Sequence, residues 1–194
     1  PMSFADIPGR YALKYLTDEA LSSAPRDCAF VEVGCALGKG IAYMGEALIK
    51  SGRDDIALYA VDPWGGYGRN GEQQEDGPPS KHGDWQLFLE CMGQYAPAVL
   101  MRTHIIRAPS ARAALTMHRH SVWLCILDAG HTYQDVTTDI AAWMPTIMPG
   151  GWIGGDDHVA DFPGVEQACR YFWQDDYEHA AREDGWETWR RMVE

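Results

Sequence analysis

Four short apolar runs in this chain each stop at residues able to bind or react. Val31-Glu32-Val33 leads into Gly34-Cys35-Ala36-Leu37-Gly38, and Ile56 to Val61 into Asp62-Pro63-Trp64. Val122 to Leu127 ends at Asp128-Ala129-Gly130-His131, and Trp152 to Gly155 at Asp156-Asp157-His158. Glycines after a strand let the backbone turn tightly and approach a ligand closely, although many such turns hold no ligand. The spacing is neither GxGxxG nor a GK[ST] phosphate loop, which weakens a nicotinamide or nucleoside-triphosphate reading. Asp62 can accept hydrogen bonds from both hydroxyls of a ribose. Its plainer reading is a solvated aspartate that starts a turn with Pro63.

Three carboxylates, Asp128, Asp156 and Asp157, at the ends of two apolar runs would repel one another. A hard divalent cation such as Mg²⁺ relieves that repulsion and binds substrate oxygens as well; the alternative is that they only cap loops. His131 fits a metal ligand, a general base or a satisfied loop histidine, and His158 fits a structural or substrate contact. Trp143, Trp152 and Trp173 fall within expected elements as core residues. Trp64 and Trp85 flank a Gly- and Pro-rich stretch and are candidates to line a pocket.

The elements that must position these groups alternate. Strands are expected at Ala29 to Val33, Ile56 to Val61, Met101 to Arg107, Val122 to Leu127 and Trp152 to Gly155. Helices are expected at Ile41 to Lys50, Trp85 to Gln94, Ser110 to Met117 (Ser110 as N-cap), Gln134 to Ile147, and from Pro163 to about Trp173. Pro149-Gly150-Gly151 reads as the stop of the fourth helix, and Asp184-Gly185 as a hairpin turn between two C-terminal strands. Gly65 to Gly83 reads as a long loop over the site, a length usual for functional lids or disordered segments. Alternation of this kind predicts an α/β protein with a mainly parallel sheet and helices on both faces. Ligands in such sheets bind outside the carboxyl ends of the strands, where all four constellations fall.

Length and charge narrow the classes. With 194 residues the chain is the size of one domain, and neither an internal repeat nor a second domain is visible. Asp and Glu number 28 against 16 Lys and Arg, a net charge of −12 that argues against nucleic acid and anionic membranes. No apolar run approaches the roughly 20 residues of a membrane span, and Pro1-Met2-Ser3-Phe4 lacks the order of a secretory leader. The five cysteines include no CxxC pair, which speaks against a disulfide framework and a structural zinc site and for the cytoplasm.

Taken together, Glu32-x-Gly34-x-x-x-Gly38, Asp62-Pro63-Trp64 and Leu127-Asp128-Ala129-Gly130-His131-Thr132-Tyr133 resemble class I S-adenosylmethionine-dependent methyltransferases. Trp143, Pro145, Pro149-Gly150-Gly151, Gly155-Asp156-Asp157-His158 and Phe162-Pro163-Gly164-Val165 are similar to one small-molecule branch. That branch holds macrocin and mycinamicin O-methyltransferases and cephalosporin hydroxylase-like relatives, with catechol O-methyltransferase more distant. The resemblance covers roughly residues 29 to 174. Ala129 departs from the usual glycine, and Gly40 stands where a hydroxyl residue is common.

The resemblance implies a Rossmann-like fold with a seven-stranded sheet and a C-terminal antiparallel hairpin. It implies S-adenosylmethionine held by Glu32, Gly34, Cys35, Gly38, Asp62, Pro63, Trp64, Ser110 and Asp128. It implies a divalent metal, Mg²⁺ by chemistry, on Asp128, Asp156 and Asp157, with His131 taking the proton of a small hydroxylated acceptor. Assembly into a homo-oligomer is left open. The rival readings are a hydroxylase-like or metal-independent relative on the same fold, and a noncatalytic cofactor-binding module.

Overall fold

The computed structural model describes residues 4–7, 14–65, 84–181 and 187–194. In chain order the elements are α1 (Lys14–Ser23), β1 (Ala29–Val33), α2 (Lys39–Lys50), β2 (Ala57–Val61), α3 (Trp85–Tyr95), α4 (Pro97–Arg102) and β3 (Thr103–Ile106). There follow α5 (Ser110–Ala114), β4 (Val122–Leu127), α6 (Tyr133–Trp143), β5 (Ile147–Gly155), α7 (Pro163–Trp173), β6 (Glu178–Ala181) and β7 (Glu187–Met192). The strands form one sheet in the order β3-β2-β1-β4-β5-β7-β6. β1 to β5 pair in parallel; β7 runs antiparallel to both β5 and β6. The expected α/β class, parallel core and C-terminal hairpin are all present.

Strand alternation divides the core into two layers. Phe30, Leu58, Leu124 and Ile126 face Leu16, Ile41, Met44, Leu48, Phe88 and Val99 from α1 to α4. Val31, Val33, Cys125 and Leu127 face Val136, Ile140, Trp143, Val165 and Ala168 from α6 and α7. The central strands β1 and β4 are therefore apolar on both faces, as a doubly covered sheet requires.

Local expectations differ from the structure in several places. Met101 and Arg102 belong to α4, not to a strand, because Pro97 starts a helix that runs directly into β3. Ser110 is not an N-cap: Pro109 holds that position, and α5 ends at Ala114 rather than Met117. The fourth helix stops at Trp143, followed by a 3-10 turn over Met144–Thr146, where Pro145 tightens the exit. Pro149-Gly150-Gly151 does not end that helix but lies inside β5, where the register with β4 shifts between Val122 and Leu124. Gly150 takes φ +83° there, so these residues make an irregular strand and not a turn. α1 was not expected, since its weak apolar periodicity hides a packed face made by Leu16 and Ala20. The residues 66–83 of the expected lid and the Asp184-Gly185 turn lie outside the described residues.

The strand ends are locked to one another. Asp128 N–H donates to Val33 O (2.8 Å) and Gly34 N–H to Val61 O (2.9 Å), extending the ladder past β1 and β4. Gly34 has φ +90°, and a Cβ there would sit 2.1 Å from the carbonyl oxygen of Asp128. Backbone cannot give way as a flexible side chain can. Gly34→Ala should therefore cost at least about 2 kcal/mol, combining left-handed strain with backbone displacement. Urea unfolding measures this, and a loss under about 1 kcal/mol would contradict the close approach.

Candidate functional site

β1, β2, β4 and β5 bring their carboxyl ends to one edge, and each delivers a carboxylate. Glu32 is 3% exposed. Gly38, the N-cap of α2, has no side chain to satisfy the first turn, and the Glu32 carboxylate takes over by accepting the N–H of Ile41. Gly40 makes room: a Cβ there would lie 1.9 Å from Glu32 Oε1. Glu32 Oε2 has no hydrogen-bond partner among the described residues. Burial pushes the Glu32 pKa well above its ordinary range, and the charges of Asp128 and Asp62 add to the shift.

Asp62 braces the turn after β1. Its Oδ2 accepts Ala36 N–H at 3.0 Å, and its Oδ1 accepts Trp64 N–H at 2.7 Å. Burial raises its pKa, although these backbone bonds pull the other way. A third backbone N–H, that of Cys35, also bonds this carboxylate. Trp64 has φ +44° and donates its indole N–H to Ala36 O at 2.9 Å. It packs edge-on against Trp85 and tilted against Phe88, and Pro63 beside it is half-buried. Cys35 is buried, with Sγ 3.2 Å from Glu32 O and 3.6 Å from Val61 O, so its thiol holds the turn rather than facing out.

Ser110 turns toward α6. Its Oγ accepts the Trp143 indole N–H at 3.0 Å and bonds Asp139. Asp139 lies outside the strand-end residues that the sequence pattern marks. It is 7% exposed, and burial pushes its pKa up to about 6. The signal was available: an acid on the apolar stripe of α6, beside Val136, Ile140 and Trp143, needs a buried partner.

On β4 and β5, donor atoms of Asp128, His131 and Asp157 lie within 4.8 Å of one another. His131 Nε2 is 2.8 Å from Asp157 Oδ2 and 3.8 Å from Asp128 Oδ1. Nε2 thus faces both carboxylates, and the Asp157 contact is within ion-pair distance once the ring is protonated. Phe162 packs on the imidazole with centroids 4.7 Å apart. Asp157 holds φ +63°, a strained left-handed conformation for a non-glycine residue. Asp156 is not part of this cluster; it lines a small cavity behind it with His131, Asp139 and Trp189. His158 turns away toward Tyr177 and Glu187.

A mainly parallel sheet that presents a glycine turn, a buried aspartate and an acid–histidine cluster at one edge is the arrangement of an α/β enzyme with its site at the carboxyl ends of the strands. A family model described as a methyltransferase domain matches residues 31–158, and the chain belongs to that family. It is an S-adenosylmethionine-dependent methyltransferase. Comparison with curated proteins gives no match. Among solved structures, the O-methyltransferase NovP superposes with a TM-score of 0.72 at 16% identity, covering 93% of this chain and 78% of NovP. Cofactor-bound Rv0187 from MTB gives 0.66 at 14% identity, covering 97% and 84%. The calicheamicin methyltransferase CalS11 gives 0.62 at 12% identity, covering 92% and 76%. At such identities these likenesses speak for the fold. No helix among the described residues is long and apolar enough to cross a membrane.

Burial opposes the charge on His131, but Asp128 and Asp157 outweigh it and carry the imidazole pKa up to about 10 from an ordinary 6.5. A raised folded-state pKa contributes stability that is complete below about pH 6.5 and is lost as the pH climbs toward about 10. In EDTA, wild type should lose on the order of 1–3 kcal/mol across that window relative to His131→Gln. Parallel denaturation curves for the two proteins would show the imidazolium is not held if they keep a constant separation.

Proposed function

We propose that this protein transfers the methyl group of S-adenosylmethionine to a hydroxyl of a small molecule, a natural product, sugar or phenol, with the help of a divalent metal. The observation that carries the reading is the convergence of Asp128, His131 and Asp157 at the sheet edge that holds the Glu32–Gly38 turn and Asp62. The O-methyltransferase NovP and the methyltransferase CalS11, similar in fold, favour the same class.

The donor set fits a hard cation. Asp128 and Asp157 supply oxygen ligands of the kind Mg²⁺ takes, and Asp156 would join them only by turning out of the cavity it lines. The imidazolium of His131 now balances two of these carboxylates, so a positive charge belongs at this place. When bound, such a metal lowers the pKa of an acceptor hydroxyl. Gly34, Cys35, Gly38, Pro63, Trp64 and Ser110 join Glu32, Asp62 and Asp128 in shaping the cofactor site. Asp62 would accept the ribose hydroxyls, and Glu32 would hold the methionine end through the glycine turn that it braces. His131 is the proton acceptor. Its pairing with Asp128 and Asp157 keeps it protonated at neutral pH, so it can serve as base only once those carboxylates are otherwise engaged. Positioning supplies much of the rate, since the sulfonium methyl is already activated. The net charge of −12 supports a small acceptor over nucleic acid, and the five cysteines without a CxxC pair are the ground for proposing the cytoplasm.

A metal-independent relative is the second reading, favoured because His131 already compensates Asp157. Calorimetry with S-adenosylmethionine or its demethylated product should show binding, and its absence would end the methyltransferase reading. Methyl transfer to a catechol or glycoside panel should vanish in EDTA and in Asp128→Asn, with cofactor affinity kept within a few-fold. Full turnover in chelator selects the metal-independent route. With an accepted acceptor, His131→Gln should lower turnover by about 10²- to 10⁴-fold, and a near-normal rate would remove His131 as the base.

A further inference from the structure

The C-terminal hairpin builds a second cluster, away from the Asp128–His131–Asp157 group. His179 on β6 pairs in register with Trp189, and Ala181 with Glu187, so His179 and Glu187 are diagonal neighbours across two antiparallel strands. β7 also borders β5, and beyond the end of that ladder His158 N–H donates to Glu187 O at 2.9 Å. This bond brings the His158 side chain onto the same two residues. His158 Nδ1 lies 3.4 Å and His179 Nδ1 3.2 Å from the same oxygen, Glu187 Oε2. One donor atom from each of the three lies within 4.8 Å of the other two.

We propose that His158, His179 and Glu187 form a transition-metal site, zinc by its donor chemistry, that staples the β6–β7 hairpin to the segment carrying Asp156 and Asp157. Two imidazoles and a carboxylate are a set that zinc takes with a fourth position left to water. Tetrahedral bonds of about 2.0–2.1 Å separate neighbouring ligand atoms by about 3.3–3.4 Å. The two spacings to Glu187 Oε2 already match such edges. The outer contacts fit as well. His158 Nε2 is 3.0 Å from the Tyr177 hydroxyl, whose oxygen can accept a hydrogen bond from Nε2–H and so leave the Nδ1 lone pair facing Glu187. His158 is 8% exposed and fixed in place, whereas the His179 side chain is 54% exposed. The two rings stack at 4.9 Å with planes 14° apart, so His179 must turn for both lone pairs to aim at one ion, and its exposure allows it. Soft and hard donors thus divide between two places: the imidazole-rich cluster suits zinc, and the carboxylate-rich one suits magnesium. The expectation of no structural zinc rested on cysteine spacing, and no cysteine takes part here.

The test uses untagged protein, stripped of metal and titrated with Co²⁺, whose visible ligand-field absorption becomes intense in a tetrahedral site. Wild type should develop that band with one equivalent, lose it to one equivalent of Zn²⁺, and melt at a higher temperature with Zn²⁺. His179→Ala and Glu187→Gln should weaken Co²⁺ binding by at least about tenfold while keeping the wild-type circular dichroism. Asp128→Asn should keep the band. The proposal is overturned if wild type gives no tetrahedral band. It is equally overturned if His179→Ala and Glu187→Gln bind as wild type does, or if the band disappears only in Asp128→Asn, which places the metal on the other cluster.

Discussion

Four carboxylates gathered at one low-dielectric sheet edge set the constraint that the rest of the structure answers. Parallel strands all end on the same side, so Glu32, Asp62, Asp128 and Asp157 arrive together because β1, β2, β4 and β5 run the same way. Removing charge from water is costly unless each charge finds a partner. Glu32 and Asp62 are buried, and their pKa values rise in consequence.

The chain answers with groups it must deploy for other reasons. The first turn of α2 needs an acceptor, and Glu32 needs a donor, so the Ile41 N–H serves both. The turn after β1 exposes Ala36 N–H, and Asp62 takes it together with Trp64 N–H. Both arrangements hold the glycine turn from below. On the β4 and β5 side a side chain does this work instead, with His131 drawn between Asp128 and Asp157.

The far edge of the sheet is built differently. β7 reverses direction against β5, so residues after the end of β5 meet the start of β7 rather than another strand end. His158 follows Asp157 directly yet belongs to this second neighbourhood, with Tyr177, His179 and Glu187. Adjacent residues of one loop thus serve two separate clusters. Asp157 pays for that divergence with a left-handed backbone.

Much of this was legible in the residues themselves. Apolar runs closed by Gly34, Asp62, Asp128 and Asp156 marked strands and their carboxyl ends, because a buried strand must be apolar and its exit must turn. Their alternation with helices implied the parallel sheet, and so the common edge. The short-range signals failed where tertiary contacts outweighed them. Pro149-Gly150-Gly151 reads as a stop, but β4 pairs on either side of it and Val193, just after β7, bonds Gly150 and Gly151, so β5 runs through it. Ser110 reads as a cap, but Trp143 and Asp139 claim its hydroxyl. Sequence determined which groups reach the edge, since strand direction and turn chemistry are local. Only the tertiary structure decided how they divide: Asp157 with His131, Asp156 toward the cavity, and His158 with His179 and Glu187. Those partners are separated in the chain, and which of them meet depends on the antiparallel pairing of β5 with β7, which no local pattern encodes.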